Sequence, residues 1–259
     1  MSTYTIPKTS VEATILPLDP VTGFAALFLS GHETGNGKYM ASVNAGTSNS
    51  GSVFKVGVGG INLGFKTALS HAGQATDLYM SIHQGLYDSL TGTDLSTART
   101  DFTDTDPVIL SLIQKPDPTA GLPQYDGIVF IDVFNPKQYP KGNKLNYAMV
   151  YVVPPDASNY SDGPSFMHAI KTTSETIIKA LNAYNTQYAD GSEYMKIEDI
   201  RMCLYSGEIY RGPYPKTDVA ENNIAGLSSG IQALKASGGS EEFALVEFEA
   251  EVFRRYLDS

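Results

Sequence analysis

The sequence has one cysteine, four histidines and no long apolar run, and each scarcity removes a class of protein. Cys203 by itself can build neither an internal disulfide framework nor a thiolate metal site, which is the cysteine usage of a reducing compartment. His32, His71, His83 and His168 are scattered, and none forms a ligand pair with Cys203, so they read as solvated or hydrogen-bonded side chains and no metal is expected. No run of 18 apolar residues is present, so no membrane span is expected. The start, MSTYTIPKTS, shows neither a basic segment leading into an apolar one nor an arginine-rich transit pattern, and a cytoplasmic protein is the expectation. Basic residues are also scarce, 18 against 28 acidic, for a formal charge of −10. That balance repels a polyphosphate backbone, so nucleic acid is not expected as a partner. It does not forbid a small anion, provided backbone N–H groups and helix N-termini hold it.

What is there suffices for a core. The chain is 42% hydrophobic and 18% charged over 259 residues, ordinary for a folded domain and too apolar for a disordered one. We read a single domain. Segments 13–18 and 24–30 are expected strands joined through the Pro20 and Gly23 turn chemistry, as an N-terminal hairpin. Further strands are expected at 39–43, 108–113, 127–133, 146–153 and 197–204, where β-branched and apolar residues run together. Apolar residues at helical spacing predict helices over 77–87 and 165–184, and another over 218–234 after Pro213 and Pro215. Residues 65–69 have helix-like composition after the glycine-rich stretch 44–64. Segments 91–107 and 115–124 read as surface excursions rich in Thr, Asp and Pro. Residues 243–257 are either a strand with a short helix or one helix. Strands alternating with helices predict a layered α/β domain with a largely parallel sheet, whose ligands sit beyond the carboxyl ends of the strands.

Two constellations lie at such ends. The first is Val43-Asn44-Ala45-Gly46-Thr47 with Gly59-Gly60-Ile61-Asn62; its glycines let backbone approach a diphosphate, though a flexible surface insertion has similar composition. The second is Ser206-Gly207-Glu208-Ile209-Tyr210-Arg211-Gly212, a turn that either projects Tyr210 toward a ligand or packs it on the core. Cys203 and Ser206 lack an identifiable base and a nucleophile elbow, which leaves packing and turn formation as their roles. The acidic clusters Asp101-Asp104-Asp106 and Glu247-Glu249-Glu251 read as solvated faces.

Taken together, these segments resemble the macro domain, whose pattern is a strand with Gly-Asp-Ile-Thr, a strand ending Val-Asn-Ala-Ala-Asn, a glycine-rich first loop entering a helix, and a second loop of the type Ser-x-Gly-Ile-Tyr-Gly. Similar stretches are Gly31-His32-Glu33-Thr34, Val43 to Thr47, Gly59 to Asn62 and Ser206 to Gly212, in the family's order. The resemblance covers about 13–234, with insertions near 48–56, 91–107 and 115–124. It implies a three-layer α/β/α macro-domain-like fold with a central mixed, largely parallel sheet. It also implies binding of ADP-ribose, or of an ADP-ribosylated protein, between the two loops. Ligand contacts would come from Glu33, Asn44, Gly46, Gly59, Gly60, Ile61, Ser206, Gly207, Ile209, Tyr210 and Gly212, with Glu33 accepting from the adenine amino group and Tyr210 over the distal ribose. No further cofactor is implied.

The departures bear on catalysis. Thr47 replaces the family's second asparagine, and Asn62 or Lys66 stands where hydrolytic members place an aspartate. Asn44 and Asn62 are the candidate catalytic groups; an asparagine orients water and does not take its proton near neutral pH. Glu208 lengthens the second loop and places a carboxylate near an anionic ligand. Three functions stay open: a reader of ADP-ribose, a hydrolase acting on ADP-ribosyl bonds or on ADP-ribose 1″-phosphate, and an interaction scaffold without ligand.

Overall fold

Residues on both faces of the strands Tyr39–Ala45 and Ile197–Met202 are buried, the setting in which parallel strands persist. The computed structural model describes residues 3–16, 39–45, 108–114, 125–134, 147–152, 154–187, 189, 196–238 and 243–258, with backbone alone at 39, 108–114, 125–134, 147–149, 151 and 187. Their strands are β1 (Tyr4–Thr5), β2 (Glu12–Ile15), β3 (Tyr39–Ala45), β4 (Val108–Gln114), β5 (Tyr125–Phe134), β6 (Tyr147–Val152), β7 (Ile197–Met202) and β8 (Leu245–Phe248). They form one sheet in the order β1-β2-β8-β7-β3-β6-β5-β4. The five central strands, β2, β8, β7, β3 and β6, run parallel, and antiparallel pairs finish both edges. The sheet is thus mixed and largely parallel, and the fold class is α/β, as expected.

The two described helices are α1 (Gly163–Gln187) and α2 (Lys216–Ala236). α1 crosses from β6 to β7 and α2 from β7 to β8, both steps in the same direction across the sheet. Right-handed crossovers then put both helices on one face, where they pack against each other. That face carries Ala13, Ile15, Ala41, Val43, Val150, Val152, Ile200, Met202, Val246 and Phe248, buried with Phe166, Ile170, Ile177, Leu181, Val219 and Leu227 of the helices. The other face is mixed and carries buried polar groups. Met40, Ser42 and Asn44 alternate out of β3 beside Asp199 and Arg201 of β7, and all are buried. There Arg201 donates to Glu247 of β8 at 2.6 Å, as their cross-strand register dictates. The third layer anticipated from residues 65–69 and 77–87 lies outside the described residues, as do the expected strand at 24–30 and the three insertions at 48–56, 91–107 and 115–124.

Several boundaries differ from expectation for local reasons. α1 starts at Gly163, two residues early, because Asp162 caps it: the carboxylate accepts from the Ser165 N–H at 2.7 Å. That bond, with the Ser165 and Ser161 hydroxyls, lowers the Asp162 pKa. β7 ends at Met202 and not at Leu204, since residues 203–205 turn away from the ladder with Tyr205 N–H bonded to the Cys203 carbonyl. Residues 243–257 resolve into β8 and a short 3-10 helix, η3 (Glu251–Tyr256). β8 follows the second long helix yet lies mid-sheet, between β2 and β7.

Candidate functional site

Because β3 and β7 are adjacent and parallel, the residues that follow them emerge at the same end of the sheet. Asn44 and Ala45 close β3, and the loop 203–215 follows β7. The backbone N–H of Ala45 is within hydrogen-bonding reach of the Cys203 sulfur, so the two segments touch at their roots. Of the site residues expected from the sequence, Asn44, Ser206, Gly207, Ile209, Tyr210 and Gly212 are brought to this end. Glu33, Gly46, Gly59, Gly60, Ile61 and Asn62 lie outside the described residues, together with Thr47 and Lys66.

The loop is built from its root upward. Tyr205 plunges between the helices, where its hydroxyl donates to the Ile170 carbonyl at 2.9 Å and lies 2.5 Å from Ser174 Oγ. It is therefore Tyr205, and not Tyr210, whose ring packs in the core. Burial drives the Tyr205 pKa upward, so this phenol remains a hydrogen-bonding group. Ser206 takes a left-handed conformation, φ 58°, and its hydroxyl donates to the Pro155 carbonyl at 2.6 Å. That hydroxyl is spent on the β6–α1 connection, so a ligand would meet Ser206 through its backbone. At Gly207 a Cβ would collide with the side chain and carbonyl of Leu204, whose oxygen accepts the Gly207 N–H at 3.2 Å. Gly212 has φ 57° and faces Ala157 of a second short 3-10 helix, η1 (Ala157–Asn159).

The tip is a third 3-10 turn, η2 (Ile209–Arg211), with Ile209 90% exposed and Tyr210 half-buried. The extra carboxylate in this loop, Glu208, is paired with the Lys216 ammonium at the start of α2, which offsets the repulsion it would exert on an anion. Asn44 is fully buried.

One group at this end went unread in the sequence. Glu249, immediately after β8, is not on a solvated face: its Oε1 accepts the Leu204 N–H at 2.8 Å, and its Oε2 is buried without a hydrogen-bond partner among the described residues. Burial, with a smaller contribution from the Glu208 charge, raises its pKa from 4.5 to about 7. Glu247 is likewise engaged by Arg201, whereas Glu251 is exposed as expected. The available signal was position: carboxylates two apart at the end of a short apolar run belong to one face of a strand. Cys203 is buried, and burial together with Glu249 holds its thiol well above the ordinary range, which leaves it without thiolate character. Among the described residues no three His, Cys, Asp or Glu side chains converge on a metal position, and no helix is long and apolar enough to cross a membrane.

An α/β domain with a mixed sheet and a built loop at the carboxyl ends of its parallel strands is the class that this geometry defines. Among protein families, the model of the mitochondrial association factor 1 C-terminal domain matches residues 119–237, less than half of the chain. The DNA/RNA-binding protein ALBA4 of Plasmodium yoelii yoelii is 30% identical over 215 residues, 77% of this chain and 55% of that protein. Mitochondrial association factor 1 form b0 of Toxoplasma gondii is 31% identical over 105 residues, 40% of this chain and 23% of that protein. The chain thus spans about half the length of the ALBA4 relatives it matches. Among solved structures, the Oceanobacillus iheyensis macrodomain with ADP aligns at 13% identity and a TM-score of 0.49, covering 98% of this chain and 93% of that one.

Proposed function

We propose that this domain binds ADP-ribose, or a related ADP-ribosyl nucleotide, at the carboxyl ends of β3 and β7. The observation that carries the reading is the adjacency of those two ends, which brings Ala45, the last residue of β3, to the same end of the sheet as the loop 203–215. Its motifs, Val43-Asn44-Ala45-Gly46 and Ser206-Gly207-Glu208-Ile209-Tyr210, are the ones that resemble the macro-domain pattern. The diphosphate would be held by backbone N–H groups of Gly59, Gly60, Ile61 and of the 208–212 tip, with Tyr210 over the distal ribose and Glu33 toward the adenine. Neutral donors suit a chain of formal charge −10, in which 28 acidic residues outnumber 18 basic ones.

Binding is favoured over turnover by the state of the described hydroxyl, thiol and carboxyl groups at this end. The Ser206 hydroxyl is committed to Pro155, the Cys203 thiol is held protonated, and the carboxyl whose pKa lies near neutrality, Glu249, is enclosed beneath the loop. None of the three is presented to a water that attacks a bound ligand. The same charge argument sets small nucleotides above nucleic acid, although one relative is named a DNA/RNA-binding protein.

Calorimetry with ADP-ribose tests the proposal. We expect saturable binding that Gly60→Glu abolishes, through a side chain and a negative charge placed where the diphosphate would lie, while the melting temperature is unchanged. Absence of heat at millimolar ADP-ribose, or equal binding by Gly60→Glu, would overturn it; binding of duplex or single-stranded oligonucleotides in its place would favour the activity in the relative's name.

A further inference from the structure

The carboxyl group of Glu249 ties the end of β8 to the first residues of the loop that follows β7. It follows β8, its own N–H donates to the Met202 carbonyl of β7 at 3.2 Å, and its Oε1 holds the Leu204 N–H. Leu204 in turn fixes the loop, because its carbonyl accepts from Gly207 and its side chain fills the space beside that glycine. A single carboxyl therefore sits under the root of the candidate ligand loop, with its second oxygen enclosed and unbonded among the described residues. Such a group is costly when charged, because desolvation penalises the ionised form, and the Leu204 hydrogen bond, which favours that form, offsets the penalty only in part.

We propose that Glu249 is a proton-controlled latch on the loop 203–215, holding the loop closed while its carboxyl is neutral and loosening it when the carboxyl ionises. The surrounding charges act in one direction. Among the described residues, the charge that acts on it is the Glu208 carboxylate of the loop, itself paired with Lys216 of α2, while the neighbouring Cys203 thiol at the end of β7 stays protonated. On its own segment, Glu247 is neutralised by Arg201 and Glu251 by Arg254. None of these supplies a cation to Glu249. Its pKa rises from 4.5 to about 7 in the fold, so the closed loop keeps the full stabilisation below 4.5 and loses it as the pH climbs through 7.

Hydrogen exchange of the Leu204 to Gly207 amides, corrected for intrinsic exchange, reads the latch directly. From about pH 5.5 to about pH 8.5, wild-type protection should fall about tenfold with a midpoint near neutrality, while Glu249→Gln, which keeps the acceptor for Leu204 and cannot ionise, stays flat. Glu208→Gln, an exposed change that removes the charge acting across the loop, should move the midpoint to lower pH. It decides the matter if Glu249→Gln proves misfolded. Identical profiles for wild type and Glu249→Gln, or an unmoved midpoint in Glu208→Gln, would overturn the latch. The expected effect on ligand rests on the nucleotide reading: ADP-ribose affinity should weaken over the same pH range in wild type only. PH-dependent protection without ADP-ribose binding at any pH would keep the latch and remove that reading.

Discussion

Residues 203–207 and residues 208–213 are consecutive, yet the first set is anchored by buried hydrogen bonds to distant elements while the second rests on Lys216, Tyr214 and Ala157 at the surface. The root is tied to three elements at once: to β8 through Glu249, to α1 through Tyr205 with Ile170 and Ser174, and to the β6–α1 connection through Ser206 with Pro155. The tip makes local contacts, Glu208 with Lys216 and Arg211 with the Tyr214 carbonyl, and leaves Ile209 in solvent. A loop fixed at its base and open at its end presents backbone donors at a set place while keeping them accessible, which is the requirement for binding an anion without basic side chains.

The contrast can be broken from the root. Gly207→Val should have the largest effect, a loss of about 3 kcal/mol in denaturant unfolding together with loss of ADP-ribose binding, since the new side chain must displace Leu204. Next is Glu249→Gln, whose sign depends on pH. At about pH 8.5 it should stabilise the fold by about 2 kcal/mol by removing a buried charge, and at about pH 4.5 it should be neutral, as read by melting curves across that range. Tyr205→Phe removes a hydroxyl shared by Ile170 and Ser174 and should cost about 1 kcal/mol without altering the tip. The tip should respond in the opposite manner. Ile209→Ser should change stability by less than about 0.5 kcal/mol, because a side chain already in water has no burial to lose, and any effect should show in ligand affinity alone. A tip substitution that unfolds the domain, or a root substitution that leaves both stability and affinity intact, would erase the distinction.

Much of this architecture was legible because it rests on local pattern. The β-branched runs of β4, β5 and β6 and the periodic stripe of α1 announce themselves, and alternation of strand with helix predicts the parallel centre of the sheet. β1, two residues long, is too short to carry a pattern, and β8 is four residues whose apolar spacing suits strand or helix equally. The carboxylates were misread for a related reason. Glu247, Glu249 and Glu251 are alike in sequence, and their fates part only through long-range pairing: the first meets Arg201 across the sheet, the second is roofed by Leu204, and the third stays in solvent. For the site, glycine spacing located the loop after β7 and offered Tyr210 as the ring that meets a ligand or packs on the core, whereas the ring that packs is Tyr205. Two tyrosines five residues apart look interchangeable until the helices that receive Tyr205 are in place.

The most direct test of the account is amide chemical-shift mapping during an ADP-ribose titration. The account predicts saturable shifts at Ala45 and at Ile209 to Gly212, with Cys203 and Tyr205, buried at the root, little moved. Shifts confined to another part of the sheet, or none at millimolar ligand, would contradict it.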